Sequence, residues 1–341
     1  MGFFKRRGTS AAALERRPDL RDDYPGSTDE LFAEIDRLTA ANRAAPDRET
    51  ERRLLWLRHY AGVRRVNAHG NGAGYAAPEG GALPAPRLPE IAAADVTPGL
   101  VRAGILRDGC LLVRGLVDRD AALRFAGQID RAFAARAGEA PAEGYYEEFD
   151  PETAFAVAAV RPWIRDGGGV LATDSAMLTF EMLELFRSAG MRELVGAYLG
   201  EAPLLSVHKT TLRKADPAVG GAWHQDGAFM GDVRALNLWL SLSRCGDEAP
   251  GLDLVPRRLD HVVIEHGAML DVELTRERAR AAAGDVGIVR PIFEPGDALF
   301  FDELFLHQTA SDPSMPKPRF AIESWFFGAS AFPADYAPVA V

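Results

Sequence analysis

The residues of this 341-residue chain that could do chemistry lie in two stretches far apart in sequence. In Gly221-Ala-Trp-His-Gln-Asp-Gly-Ala-Phe-Met230, His224 and Asp226 are separated by one residue. On an extended strand both side chains would leave the same face, as two ligands of one metal ion must. An imidazole and a carboxylate joined by a second histidine, with positions left open, is the facial arrangement of non-haem Fe(II) oxygenases. A lone His-x-Asp triplet is a weak signal in a chain with 7 histidines. It gains weight from Phe293-Glu-Pro-Gly-Asp-Ala-Leu-Phe-Phe-Asp-Glu-Leu-Phe-Leu-His307-Gln-Thr309, where His307 is a candidate third ligand and Arg319 follows twelve positions later.

Short strands with turn formers between them must position these groups. Residues 204–213 alternate, with Val207, Lys209, Thr211 and Arg213 on one face; 216–221 read as a turn and 222–226 as the next strand. The run 233–243 alternates most clearly, with Leu236, Leu238, Leu240 and Leu242 on one side and Asn237, Trp239, Ser241 and Ser243 on the other. Such a strand packs on an apolar layer with one face and lines a polar interior with the other. The spacing predicts a jelly roll or small barrel, mainly β with flanking helices. On a last strand over 317–327, Glu323 and Trp325 share the face of Arg319.

Upstream, Arg- and Pro-rich residues 1–27 show little periodicity. A helix is predicted from Thr28, with Asp29 and Glu30 in its first turn and Leu31, Ile35 and Leu38 inward; Pro46 opens a second carrying Leu54, Leu55, Arg58 and Tyr60. This Arg-rich pair reads as a solvated arm with one buried stripe, the alternative being a basic membrane- or partner-binding surface. Residues 69–98 are rich in Gly, Ala and Pro and read as a linker. The main body is expected to hold a helix over 97–107, a strand over 109–115 and a helix over 118–137 with Leu123, Ile129 and Phe133 inward. An irregular stretch over 138–175 would form an entrance or a surface excursion, and a helix over 179–199 ends at Gly200. The predicted division is 1–94 for the arm and linker, 95–332 for the main domain and 333–341 for a tail.

The net charge of −10 argues against a nucleic-acid-binding face. Cys110 and Cys245 give neither a disulfide framework nor a zinc spacing. There is no long apolar run, and Lys5-Arg6-Arg7 is not followed by a leader-like apolar segment. The expectation is a soluble cytoplasmic protein that acts on a small molecule and binds neither membrane nor nucleic acid.

Taken together, Ala222-Trp-His-Gln-Asp-Gly, the strand 236–243, the turn Asp247-Glu-Ala-Pro-Gly-Leu-Asp-Leu-Val-Pro256, Glu294-Pro-Gly-Asp-Ala-Leu-Phe-Phe301, His307 and Arg319 resemble the phytanoyl-CoA dioxygenase family over roughly residues 96–328. The resemblance implies an Fe(II)- and 2-oxoglutarate-dependent oxygenase on a double-stranded β-helix. It implies iron on His224, Asp226 and His307, with 2-oxoglutarate and O2 taking the open positions. Arg319 would clamp the far carboxylate of 2-oxoglutarate, for which a planar guanidinium is suited; Thr309 would share that carboxylate. Trp239 and Asn237 would line the cofactor pocket, with Lys209 and Thr211 as further candidates and Phe229, Met230, Glu323 and Trp325 facing substrate. The implied reaction couples decarboxylation of 2-oxoglutarate to succinate and CO2 with hydroxylation of an unactivated C–H bond; desaturation, epimerisation and ring closure would use the same centre. Because Asp226 is present, halogenation is disfavoured.

Other readings of the same residues stand beside these. Arg319 could be a surface strand residue, Trp239 simple packing, and Thr309 a partner of its local backbone. The remaining histidines lack ligand spacing: His208 reads as a core or interface residue, His59 lies on the second helix, and His69, His261 and His266 read as loop residues. The family's Pro-Gly-Ser-His turn is replaced by Pro256-Arg-Arg-Leu-Asp-His261. The acidic pair Asp302 and Glu303 would face solvent or a basic substrate group. As whole-chain alternatives, the fold could host a cupin-like metalloenzyme of another class or a non-catalytic ligand-binding barrel.

Overall fold

The structure is a computed structural model that describes residues 21–341 other than 70–71, 82, 84–87, 152–155, 232 and 264–273. The expectations for His266, for residues 1–20 and for those parts of the linker lie outside the described residues. In chain order the elements are α1 (Thr28–Ala44), α2 (Arg48–Asn67), β1 (Glu90–Ala92), α3 (Pro98–Asp108), β2 (Cys110–Arg114), α4 (Arg119–Ala137), α5 (Val157–Asp166), β3 (Gly169–Leu171), α6 (Ala176–Ser188), α7 (Met191–Leu199), β4 (Pro203–Ala215), α8 (Gly227–Met230), β5 (Ala235–Ser241), β6 (Gly251–Leu254), α9 (Arg276–Ala283), β7 (Ala298–Phe301), β8 (His307–Ala310), β9 (Arg319–Gly328) and β10 (Pro338–Ala340).

An eight-stranded mixed sheet runs β1-β2-β7-β5-β9-β4-β10, with β3 also on β4, and β6 and β8 make a second, two-stranded sheet. β1 runs parallel to β2. Strand β5 sits mid-sheet between β7 and β9, and its alternation sorts the two faces as expected. Leu236, Leu238 and Leu240 lie on the helix-covered side, where Phe326, in register with Leu236, meets Phe186 of α6 at 5.7 Å between ring centroids. Asn237 and Trp239 lie on the side facing the small sheet. Across that interior, Arg319 of β9 reaches the Gly251 carbonyl of β6 at 3.1 Å, and the rings of Phe301 and His307 lie 4.8 Å apart.

Helices nevertheless hold more of the described chain than strands do, so the architecture is mixed rather than mainly β. The apolar outer face of so wide a sheet must be covered, and the helices cover it. Leu31 and Ile35 of α1 and Leu54, Leu57 and Val63 of α2 belong to the same buried cluster as the main sheet. Helix α2 lies against β10: its His59 Nδ1 is 2.8 Å from the Pro338 carbonyl oxygen.

Local readings shift where neighbouring structure overrides pattern. Ser27, not Thr28, caps α1 in a reciprocal box with Glu30, and Asp47 caps α2, so that Pro46 precedes the helix instead of opening it. The expected helix over 179–199 is two helices, because Gly190 adopts a left-handed conformation (φ 64°) between α6 and α7. The stretch 138–175 contains α5 and β3. Leu123 is 43% exposed, while Ala122 and Phe125 take the inward positions of α4. Residues 90–92, read as linker, form an edge strand of the main sheet. Before β7, Gly296 (φ 96°) lies so close to Val117 that a Cβ there would sit 2.1 Å from the Val117 carbonyl oxygen.

Candidate metal centre

The His-Gln-Asp triplet does not lie on one strand. His224 makes a single antiparallel bridge to His307, with its N–H donating to the His307 carbonyl at 2.9 Å and the His307 N–H returning at 3.1 Å. Asp226 has already turned helical (φ −62°, ψ −26°) at the start of α8. The common-face argument from strand periodicity therefore fails locally. The convergence comes instead from stapling this turn to the segment before β8. The Gly227 N–H donates to the Glu303 carbonyl at 2.8 Å. Gln225, 2% exposed, donates from Nε2 to the carbonyls of Leu304 (2.6 Å) and His261 (3.0 Å) and accepts from the Val263 N–H (2.8 Å). Sequence reasoning passed over Gln225; the signal was its central place in the triplet, where it points away from its two neighbours.

One ligating atom from each of His224, Asp226 and His307 lies within 4.8 Å of the other two. His224 Nδ1 is 2.9 Å from the Ala222 carbonyl oxygen and His307 Nδ1 is 3.1 Å from that of Phe305, each carbonyl two residues upstream. An N–H at Nδ1 donating to that carbonyl leaves the Nε2 lone pair free, the second-shell arrangement that orients metal-bound imidazoles. Burial pushes the His307 imidazolium down to about 3, with the neighbouring His224 adding to the effect, so the ring is neutral at physiological pH. For Asp226, burial favours the protonated form, but the Lys209 ammonium, which pairs with the carboxylate and donates to it, outweighs burial and holds the carboxyl below its usual range. Lys209 Nζ donates to Asp226 Oδ1 at 3.0 Å, while Asp226 Oδ2 is buried without a partner.

Two imidazoles and one carboxylate with a free, buried oxygen fit a divalent metal of the Fe(II) class, and open positions remain around them. Arg319 is 1% exposed. Burial pushes its guanidinium down to about 10, with Cys245 and Arg213 as smaller influences of opposite sign. One of its nitrogens donates to the Gly251 carbonyl at 3.1 Å, its guanidinium carbon lies 5.3 Å from the Trp239 ring centroid, and its Nε has no partner. Glu323, the acid on the same strand face, lies 3.9 Å from Arg213. Arg319 is thus a buried cation, not a surface residue, and no carboxylate among the described residues forms an ion pair with it.

The same interior face carries further buried polar atoms without partners: both amide atoms of Asn237, Thr211 Oγ1 and Trp325 Nε1. Buried polar groups are ordinarily satisfied, so several orphans on one face mark a place for a polar ligand. Register sets Asn237 opposite Trp325, Trp239 opposite Glu323 and Thr211 opposite Glu323. Thr309, partly buried, lies two residues beyond His307 on β8 and opposite Leu252 of β6. Phe229 of α8 lies over Lys209, its ring centroid 4.0 Å from Nζ, and Met230 is buried beside it. Trp163 of α5, which sequence reading did not single out, meets Phe229 edge-on at 6.5 Å and is itself 57% exposed.

His208 is buried and stacked on Tyr336 at 5.0 Å; His69 is exposed. Asp302 does not face solvent: it is 5% exposed and ion-paired with Arg258 from the turn after Pro256. Burial and the adjacent Asp302 push the Glu303 carboxyl up to about 7.

No family model matches the chain, and no curated protein matches it. Among solved structures, the chain is similar to EctD from S. alaskensis with bound Fe (17% identity, 70% of this chain and 79% of that one, TM-score 0.45). It is also similar to AviO1 from Streptomyces viridochromogenes Tue57 (18% identity, 68% and 96%, TM-score 0.45). A third is SnoN, a non-heme alpha ketoglutarate dependent epimerase from nogalamycin biosynthesis (17% identity, 67% and 81%, TM-score 0.43). Likeness at this level bears on neither the reaction nor the substrate of this chain.

Proposed function

We propose that the chain is an Fe(II)- and 2-oxoglutarate-dependent oxygenase of the phytanoyl-CoA dioxygenase type, its two sheets forming a double-stranded β-helix and its substrate a small molecule. One observation carries the reading: a converged His224, Asp226 and His307 set with a free carboxylate oxygen shares a buried interior with Arg319, a cation that lacks an anion. In this reading His224, Asp226 and His307 hold the iron. Arg319 clamps the far carboxylate of 2-oxoglutarate with Thr309 beside it, and Asn237, Thr211 and Trp239 line that pocket.

Spacing supports the pairing. Leu254 is opposite His307, and Arg319 reaches Gly251, three residues away on β6. That distance is roughly 10 Å at ~3.3 Å per strand residue. A five-carbon diacid spans ~5 Å between its carboxyl carbons, and a polar contact at each end adds ~2–3 Å.

With iron bound, the centre would supply oxidation of an unactivated C–H bond coupled to conversion of 2-oxoglutarate to succinate and CO2. The chain's own groups bind, orient and exclude water: Arg319 fixes the diacid, the Ala222 and Phe305 carbonyls aim the imidazoles, and the Phe301, Phe305 and Trp325 rings keep the interior apolar. Phe229, Met230, Glu323 and Trp325 are proposed to meet the substrate. Hydroxylation is the proposed outcome.

Anaerobic addition of Fe(II) and 2-oxoglutarate tests the assignment. A weak visible charge-transfer band should form and be absent in His224→Ala, and aerobic turnover should release succinate. A full-length, folded protein that binds Fe(II) but gives no band with 2-oxoglutarate would support a cupin-like metalloenzyme of another class.

A further inference from the structure

The environment of Lys209 is not accounted for by iron and 2-oxoglutarate alone. Its side chain is 9% exposed. It lies beside the register shift in the β4–β9 pairing, between Leu205 and Thr210, a bulge of the kind that re-aims side chains. An ammonium has three N–H donors, and here one oxygen, Asp226 Oδ1 at 3.0 Å, accepts from it while the Phe229 ring covers another side. Asp226 must in addition offer its other oxygen to a dication.

We propose that Lys209 anchors an anionic group of the primary substrate, and that the substrate is a monocarboxylate whose apolar part lies against Phe229 and Trp163. The inference rests on the oxygenase reading above. Charge balance within the interior leads to it. Lys209 and Asp226 cancel, as do Arg213 and Glu323, which lie 3.9 Å apart. Among these groups, the two charges of Fe(II) and that of Arg319 would then exceed the two of 2-oxoglutarate by one. A residual positive charge in a buried interior calls for an anion. It favours a carboxylate over a phosphate monoester, which carries about −1.5 to −2.

Neither end of 2-oxoglutarate needs the lysine. In the oxygenase reading the metal would meet one carboxylate and Arg319 the other, and Arg319 is in register with Ala215, six residues further along β4. That is on the order of 20 Å of strand. Position selects the substrate as the third anion's source: Lys209 stands at the end of the interior where Phe229 leads to the exposed ring of Trp163.

The test uses the full-length protein loaded with Mn(II) and 2-oxoglutarate. It is incubated with an equimolar mixture of linear, branched and aromatic C3–C12 monocarboxylic acids, their primary amides and the corresponding amines. Retained compounds are read by affinity-selection mass spectrometry. Acids should be retained over their own amides, and Lys209→Gln should weaken the best acid by roughly 10- to 100-fold, the worth of one charge-assisted hydrogen bond. Lys209→Arg should restore most of it. Affinity for 2-oxoglutarate, followed by the anaerobic Fe(II) band, should change far less.

Retention of amides or amines equal to or above the acids, or of no acid, would overturn the proposal. So would a Lys209→Gln protein in which 2-oxoglutarate affinity falls as much as acid affinity. If Lys209→Gln does not fold, the acid-over-amide preference of the unaltered protein decides. Absence of the Fe(II)/2-oxoglutarate band in the unaltered protein is the separate failure of the oxygenase reading itself.

Discussion

Replacing Arg319 by Met separates a cation kept for a ligand from one kept for the fold. The two side chains have similar volume, though Met is shorter, and only the guanidinium must be stripped of water. Burial lowers its proton affinity to about 10. At ~1.4 kcal/mol per pH unit, the charge burdens the folded state by on the order of 3 kcal/mol. The sign follows from linkage: at neutral pH Arg319 is protonated in both folded and unfolded chains, so the folded state bears the whole burden and removing the charge relieves it. Against this stands the lost contact to the Gly251 carbonyl, about 1–3 kcal/mol if that oxygen is left bare.

The metal-free Arg319→Met protein should therefore unfold at the same urea concentration as the parent or a higher one. Its 2-oxoglutarate affinity, titrated by the anaerobic Fe(II) band, should fall roughly 10- to 150-fold for a lost charge-assisted contact of about 1.5–3 kcal/mol, with metal affinity nearly unchanged. A variant destabilised by several kcal/mol that binds 2-oxoglutarate normally would make Arg319 a strap between the sheets and refute the reasoning.

Asp226→Ala should abolish metal binding and, by leaving Lys209 buried without its carboxylate, destabilise the metal-free chain by about 3–5 kcal/mol in urea titrations. Burial, with Lys209 and Arg161 adding to it, pushes His208 down to about 4. Between pH ~6.5 and ~4 the unfolded chain takes up a proton that the folded chain refuses, so stability should fall by up to ~1.4 kcal/mol per pH unit on acidification through that window. His208→Leu should remove that part of the slope and leave stability above pH 7 little changed, as urea midpoints across pH would show. Gly296→Ala should lower stability by more than ~1 kcal/mol, from the positive φ and the approach to the Val117 carbonyl, with the loss visible in the thermal midpoint.

Much of the site was legible in the residues themselves. Types and order alone pointed to His224, Asp226, His307 and Arg319, because few side chains can ligate a soft-to-borderline cation or clamp a diacid. The period-two pattern of β5 sorted Leu236, Leu238 and Leu240 from Asn237 and Trp239, since a strand between two layers must alternate. The helices expected over 97–107 and 118–137 form there, with Thr97 and Asp118 capping their N-termini and Gly109 closing the first, because capping acts within a few residues.

Long-range contact decided the rest. Asp226 reaches the two imidazoles from a helical turn, not a strand, because the backbone bridge to His307 and the bonds of Gln225 and Gly227 to residues 303–304 hold that turn in place. Asp302 turned inward because Arg258 met it there. Lys209 found its partner because the turn into α8 brings the Asp226 carboxylate against β4. A local pattern reports what each segment can form by itself. Which buried charges find partners, and which do not, depends on groups brought together only when the sheets close.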